Sequence, residues 1–156
     1  MRELSGRFLE PVSVAAATMT QYSATNTTTD IAEAKVVIPS KPPAGLTFRV
    51  KLAGTKTGAN AAMIVHLKLG ATQVLSLTAD DVTAVDWTVE IILRLKTPKA
   101  QKVSGRLLAN TADPSVDYAD GTVDVSAGAI LVPQIQSQHG SDVVYCEFCT
   151  IETWTM

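Results

Sequence analysis

Hydrophobic and polar residues alternate along several segments of this chain, with a period of two residues rather than the 3.6 of a helix. The clearest segment is 87–96, where every odd position is apolar and most even positions are polar. Segments 46–52 and 63–69 follow the same rule. Because successive side chains of a strand point to opposite faces, these segments predict β-strands with one face on a core and one face toward solvent.

Shorter or less regular runs predict five further strands, over residues 34–38, 74–77, 103–109, 130–136 and 143–154. Residues typical of turns separate the runs at 40–45, 54–60, 69–71, 96–99, 119–121 and 139–141. Only 30–34 and 78–85 have the composition for a helical turn. Eight short strands with frequent turns predict an all-β fold, an antiparallel sandwich or barrel.

Composition narrows the class of protein further. The 156 residues suffice for one domain, and the net charge of −2 lacks the basic excess that nucleic-acid binding requires. No run of 18 apolar residues is present, so no membrane span is expected. The stretch 12–17 leaves a processed leader as an alternative. Without a leader, the Asn26 sequon is not expected to be glycosylated.

The two cysteines, Cys146 and Cys149, form a C-x-x-C pair that admits a redox or zinc-binding interpretation. Zinc would need two more ligands, and the two histidines lie at spacings that match no zinc finger. The pair also lies in a strand-like run, where residues i and i+3 point to opposite faces. We therefore expect two buried or half-buried thiols that do not meet, in a reducing compartment.

No motif predicts an enzyme. The run 139–142 contains His, Ser and Asp, but consecutive residues do not form a catalytic triad, and a hairpin turn is expected there. The run 54–58 lacks the ending of a phosphate-binding loop and is expected to be a hairpin loop. His66 is expected at the surface or at an interface, on the polar face of its strand. No catalytic, metal or cofactor-binding residue is therefore predicted.

Two weaker signals remain open. Four aspartates in 113–124 leave calcium binding as an alternative to an exposed acidic loop. Surface aromatics such as Tyr22, Tyr118 and Trp154 are able to stack on a sugar, although aromatic residues make up only 5% of the chain.

The order of short strands and turns resembles the small jelly-roll domains of tailed-bacteriophage virion proteins, which occur in capsid decoration proteins, head fibres and tail tips. The resemblance covers about residues 20–156 and rests on the segments 26–29, 37–39, 44–54, 67–70, 87–91 and 141–152. It implies an eight-stranded jelly roll, often trimeric, with no catalytic residues. Because the chain carries no long fibre shaft, a small coat accessory is favoured over a tail protein.

We therefore expect an extended N-terminal arm over residues 1–19 and a jelly-roll β-sandwich over residues 20–156. The hypothesis for function is a capsid decoration (cement) protein, a homotrimer on the virion surface that binds the major capsid protein and is assembled in the host cytoplasm. The alternative is a head-fibre or tail-tip adhesion module that binds a host-surface glycan. The candidate partner-binding residues are Arg2, Arg7, Phe8, Leu9, Ile64 and Ile92.

Overall fold

The computed structural model describes residues 12–14, 20–23, 28–58, 61–109 and 114–155. They form twelve strands and one short 3-10 turn, Ala32–Ala34. The strands are β1 (Val12–Val14), β2 (Thr20–Ser23), β3 (Thr29–Asp30), β4 (Val36–Ile38), β5 (Leu46–Thr57), β6 (Ala61–Leu69), β7 (Thr72–Val82), β8 (Val85–Thr97), β9 (Ala100–Leu108), β10 (Ser115–Gly121), β11 (Ala129–Ser137) and β12 (Val143–Thr155).

The strands form two antiparallel sheets. A seven-stranded sheet has the order β1–β12–β5–β8–β9–β10, with β2 also paired to β12. A five-stranded sheet has the order β3–β11–β6–β7, with β4 also paired to β11. The alternating side chains of both sheets meet in one core, in which Phe48, Leu67, Trp87 and Ile91 are at most 2% exposed. Among the described residues, no helix is long and apolar enough to cross a membrane.

The alternation predicted this architecture well. Each of the eight expected strands coincides with an observed one, from β4 to β9 together with β11 and β12. The 3-10 turn lies inside the expected helical turn at 30–34. The all-β antiparallel sandwich is thus confirmed, although the described residues contain twelve strands rather than eight.

Two segments expected to be loop or helical turn are strands. Residues 78–82 belong to β7, and residues 115–121 of the acidic segment form β10, which pairs with β9 over seven residues. Asp and Gly disfavour central strands, but β10 lies at the edge of its sheet and pairs on one side only. The described part of the acidic segment is therefore mostly an edge strand and not a loop.

The runs 54–58 and 139–142 were also predicted wrongly as hairpins. Residues 54–57 continue β5, and the chain then passes from the seven-stranded sheet to β6 in the five-stranded sheet. Residues 138–142 connect β11 in the five-stranded sheet to β12 in the seven-stranded sheet. Both runs therefore cross between sheets at one end of the sandwich, since Val143 at the start of β12 pairs with Thr57 at the end of β5.

A β-bulge in β12 changes the predicted placement of the cysteines. Cys146 pairs with Gly54 and Phe148 pairs with Ala53, so Glu147 is the extra residue. Beyond the bulge, Cys149 pairs with the inward-facing Leu52. Both cysteines consequently point into the core and are 5% and 2% exposed. Two buried thiols without a disulfide are confirmed, but their placement on opposite faces was wrong.

The N-terminal strands cover the outer edge of β12. Val12 of β1 pairs with Ile151, and Ser23 at the end of β2 pairs with Val143. The two strands follow one another along β12, on the side away from β5. Part of the segment expected to be an arm, residues 12–14, is therefore a strand of the sandwich. The division of the chain at residue 19 otherwise stays a prediction.

Candidate functional site

The outward-facing side chains of the seven-stranded sheet form a broad surface, which we call the seven-strand face. The register between β12, β5, β8, β9 and β10 aligns them in rows that cross the sheet. The three central rows are Phe148–Ala53–Thr88–Leu108, Thr150–Lys51–Glu90–Arg106–Val116 and Glu152–Arg49–Ile92–Ser104–Tyr118. Five adjacent strands span about 19 Å, the width of a standard docking surface rather than of a small pocket.

Two shallow grooves lie side by side on this face. One, of about 380 Å³, is bordered by Val116 and Tyr118. The other, of about 370 Å³, is bordered by Leu108 and Phe148. Both grooves include Glu90, which lies between them with its neighbour in the row, Arg106. Each groove therefore has an aromatic residue at its outer end, and the charged side chains of Glu90 and Arg106 separate the two grooves.

The aromatic residues at the groove ends are open to solvent. Tyr118 is 77% exposed and Phe148 is 47% exposed. Both belong to strands whose inward positions are filled by other residues, so neither side chain is needed in the core. Exposed aromatic side chains in such positions are typical of surfaces that contact a partner.

Arg49 contacts three other side chains of the seven-strand face. Its Nε atom lies 3.4 Å from Oε1 of Glu90, and its Nη1 atom donates a 3.1 Å hydrogen bond to Oε2 of Glu152. The guanidinium also lies 5.4 Å from the centre of the Trp154 ring, within the range of a cation–π contact. These three contacts hold a side chain that would otherwise be mobile.

The central rows of the seven-strand face carry more positive than negative charge. Adding the row Trp154–Thr47–Arg94–Lys102–Asp120 gives five basic residues against three acidic ones, whereas the whole chain has a net charge of −2. Among the described side chains, Lys51 and Arg106 take part in no ion pair. Their charges are available to an acidic ligand or an acidic protein surface.

A second polar cluster lies at the end of the sandwich where the two crossovers meet. Nζ of Lys56 lies 2.8 Å from Oδ2 of Asp142, and both side chains are 0% exposed. The hydroxyl of Ser137 donates a 3.0 Å hydrogen bond to the same Oδ2 atom. This cluster combines one residue from each of the two runs that sequence analysis had placed in hairpins.

The residues of the run 139–142 do not form a catalytic triad. Oγ of Ser141 lies 2.8 Å from Nδ1 of His139, and Oδ1 of Asp142 lies 3.7 Å from that same nitrogen. In a triad the nucleophile and the carboxylate contact opposite nitrogens of the imidazole ring. The geometry therefore supplies no relay from Asp142 through His139 to Ser141.

His66 is buried within the chain, whereas it was expected at the surface or at an interface. It is 8% exposed on the outward side of β6, and its Nε2 atom lies 3.2 Å from Oε1 of Gln136. Nδ1 has no hydrogen-bond partner among the described residues. The polar phase of the strand was predicted correctly, but long neighbouring side chains such as Gln134, 9% exposed, cover the ring.

The structure separates the candidate contact residues rather than bringing them together. Ile64 lies on the outer face of the five-stranded sheet, and Ile92 lies on the seven-strand face. They belong to two separate surfaces of the sandwich, and each stays a predicted subunit contact. Arg2, Arg7, Phe8 and Leu9 lie outside the described residues.

Two of the three described aspartates of the acidic segment are paired with lysines. Lys102 pairs with Asp120, and Lys99 lies 3.3 Å from Asp124. The hydrogen bond from Lys102 lowers the pKa of Asp120, and hydrogen bonds from Ser126 lower the pKa of Asp124. In the ranges that the structure describes, no group of three or more His, Cys, Asp or Glu residues is placed to hold a metal ion.

Most residues of the seven-strand face were not predicted from the sequence. Of the aromatics expected to stack on a sugar, Tyr118 is exposed there and Trp154 is half-buried beside Arg49, whereas the side chain of Tyr22 is not described. Lys51 and Arg106 were not singled out, although both occupy polar positions in alternating runs. Their polar positions in the alternating runs indicated that they point away from the core. Only the pairing of β5, β8 and β9 brings them to the same row.

No protein-family model matches the chain, and no curated protein matches it. Among solved structures, the chain is similar to peanut lectin bound to a nine-residue peptide, with a TM-score of 0.50 and 9% sequence identity. The match covers 94% of this chain and 90% of the lectin chain. This likeness concerns the fold alone: the chain is an all-β, two-sheet antiparallel sandwich of the jelly-roll type.

Proposed function

We propose that the protein is a bacteriophage capsid decoration protein, a structural protein without enzymatic activity that docks on the major capsid protein at the virion surface. One observation carries the proposal. The seven-strand face is a broad, preformed surface whose central rows join exposed aromatic residues to an excess of basic ones. The resemblance to small virion jelly rolls supports the choice of partner.

The geometry of the face suits docking on a large acidic surface. A rigid sheet loses little conformational entropy on binding, because its backbone is already fixed by the ladders on both sides. Tyr118 and Phe148 supply apolar area, while Lys51 and Arg106 supply charge complementarity. A stable contact needs about 1,000 Å² in total, and a sheet face of five strands is large enough to provide it.

The N-terminal segment extends this docking surface in the proposal. Val12 pairs with Ile151 at the edge of β12, and the neighbouring Glu152 and Trp154 belong to the seven-strand face. Arg2, Arg7, Phe8 and Leu9 would then grip the capsid or a neighbouring copy. A homotrimer adds avidity, since several linked copies bind one shell at high effective concentration.

Co-sedimentation with purified capsids of the phage that encodes the chain tests the proposal. Arg106→Glu should weaken binding at least tenfold, because it reverses a charge on the docking surface. Lys68→Glu is the matched control, with the same charge change on the other sheet. Equal binding by the two variants would refute docking through the seven-strand face, and no binding by the wild-type protein would refute the decoration function.

A second candidate function is adhesion, in which a head-fibre or tail-tip module binds a host-surface glycan. The specific observation in its favour is that each groove ends in an exposed aromatic ring, Tyr118 or Phe148, on which a sugar can stack. Binding to a glycan array that is lost in Tyr118→Ala and kept in Val37→Ala would favour adhesion. Val37 is a suitable control because it is 75% exposed on the other sheet.

A further inference from the structure

The buried pair Lys56 and Asp142 is unusual for its surroundings. Lys56 points inward from β5, and the residues paired with it on either side are Val85 and Val144, both buried. Moving two charges from water to such a place costs several kcal/mol per ion, which an ion pair recovers only with good geometry and further hydrogen bonds. A pair of apolar residues would fill the same space without that cost.

The amine of Lys56 and the carboxyl group of Asp142 are held at contact distance. The amine nitrogen lies 2.8 Å from a carboxylate oxygen, and Ser137 holds that oxygen from another direction. Gly58 packs directly on the other oxygen, since a Cβ atom at that position would overlap Oδ1 of Asp142. The carboxyl group is therefore fixed between a nucleophile, a hydrogen-bond donor and the backbone, an arrangement that lowers the entropic cost of a reaction.

A histidine and an open cleft lie beside the pair. Nδ1 of His139 lies 3.7 Å from Oδ1 of Asp142, and the same nitrogen accepts a 3.3 Å hydrogen bond from the backbone N–H of Ser141. The cleft is lined by Lys56, Ala84 and Val85. It brings solvent next to the Lys56 side of the pair.

We propose that Lys56 and Asp142 condense to an intramolecular isopeptide bond. The ammonium group first passes one proton to the carboxylate, which gives an amine and a carboxylic acid. Nζ then attacks Cγ, the C–N bond forms, and the C–O bond to Oδ1 breaks. The proton that the attacking nitrogen loses passes to the departing hydroxyl, so the only product released is one molecule of water. No oxidant, reductant or co-reactant is required.

The bond would join β5 to the start of β12 through their side chains and would close a loop of most of the sandwich. Such a cross-link restricts the unfolded chain in the way that a disulfide does, but it does not depend on an oxidising environment. The proposal is independent of the partner that the seven-strand face binds.

Intact-mass spectrometry of the purified, folded wild-type protein tests the proposal without any variant. The expected result is a mass lower than the sequence mass by one water, together with a tryptic peptide in which a segment ending beyond Lys56 is joined to the segment that contains Asp142. A mass equal to that of the sequence after prolonged incubation of the folded protein would overturn it. So would a loss of water that maps to Asp120–Gly121, where a succinimide forms with the same change of mass.

Two pairs of variants sharpen the assignment. Lys56→Met and Asp142→Ala should each restore the full mass apart from the substitution itself. Lys102→Met and Asp120→Ala remove an ion pair of the same chemistry at an exposed site and should keep the loss of water. Retention of the loss in Lys56→Met would contradict the proposal even if the wild-type mass agreed with it.

Discussion

Lys56 and Asp142 are 86 positions apart in the sequence, and their side chains meet at 2.8 Å with no exposure to solvent. The contact joins the penultimate residue of β5 to the last residue of the crossover that precedes β12. Each run was unremarkable by itself, because a lysine between glycines and an aspartate after a serine are common in surface turns. Their meeting makes this end of the sandwich a polar cluster inside an apolar core.

Removal of either partner of this pair should destabilise the fold strongly. We expect Lys56→Met to lower the free energy of unfolding by about 3–5 kcal/mol, because it leaves the buried Asp142 carboxylate without Lys56, its partner as an ion pair or as an amide. Urea denaturation monitored by tryptophan fluorescence measures the change. The control Lys102→Met breaks an exposed ion pair and should cost less than about 1 kcal/mol. Similar losses in the two variants would contradict a structural role for the buried pair.

Gly54 should be the least replaceable glycine among those described. A Cβ atom there would lie 2.9 Å from the Trp87 ring and would overlap the carbonyl oxygen of Tyr145, so the backbone of β5 or β12 must move. We expect Gly54→Ala to cost about 3 kcal/mol or more in thermal or urea unfolding. Gly70→Ala has open space around its Cβ and a positive φ of 60°, and should cost only about 1 kcal/mol.

The bulge in β12 predicts which deletion the strand tolerates. Deletion of Glu147 removes the extra residue and leaves Cys146 and Phe148 paired with consecutive residues of β5, so every other side chain keeps its face. Deletion of Thr150 instead shifts the pairing beyond it by one residue and turns Ile151 away from the core. Circular dichroism should show a folded protein only for the first deletion. Unfolding of both would contradict the assigned register.

The titration of Asp30 provides a test of the five-stranded sheet. The pKa of Asp30 is lowered from 3.8, first by a 2.6 Å hydrogen bond from Nε2 of Gln134 and then by Lys35. Because the folded state holds the proton less tightly, this group contributes stability above pH 3.8 and loses it as the pH falls through the lower folded-state pKa. Carboxyl NMR titration of Gln134→Leu should therefore show a higher pKa for Asp30.

Asp120 serves as the internal reference in that titration. Asp120 and Lys102 both lie in the seven-stranded sheet, away from Gln134. The pKa of Asp120 is lowered mainly by Lys102 and should therefore stay the same in Gln134→Leu. A parallel shift of both aspartates would indicate a general loss of structure and not the loss of one hydrogen bond.

The strands were predictable where one face is buried and the other is exposed to solvent. In β8 the inward residues from Trp87 to Leu95 are all buried and most outward residues are exposed, so the pattern of the sequence is the pattern of the sheet. Edge strand β10 was not predictable in this way, because it packs on one side only and contains residues that also favour turns. Lys56 was misplaced for a related reason: Gly54 indicated a turn but instead allows a close approach to Tyr145.

The candidate site depends on pairing, which a single sequence does not encode locally. Lys51, Glu90 and Arg106 lie on three different strands and share one row only because the register of β5 with β8 and of β8 with β9 aligns them. The bulge at Glu147 likewise follows from the fit of β12 against β5 and has no marker in the sequence. Its consequence, two cysteines on one face, reverses what a regular strand predicts.

Electron cryo-microscopy of purified virions that contain the chain tests the decoration proposal most directly. The account predicts density for the sandwich at symmetry-related sites over the whole shell, with the seven-strand face turned toward the major capsid protein and Arg106 and Tyr118 at the contact. Density confined to the tail or to a single vertex, or a shell-bound sandwich with this face turned to solvent, would contradict it.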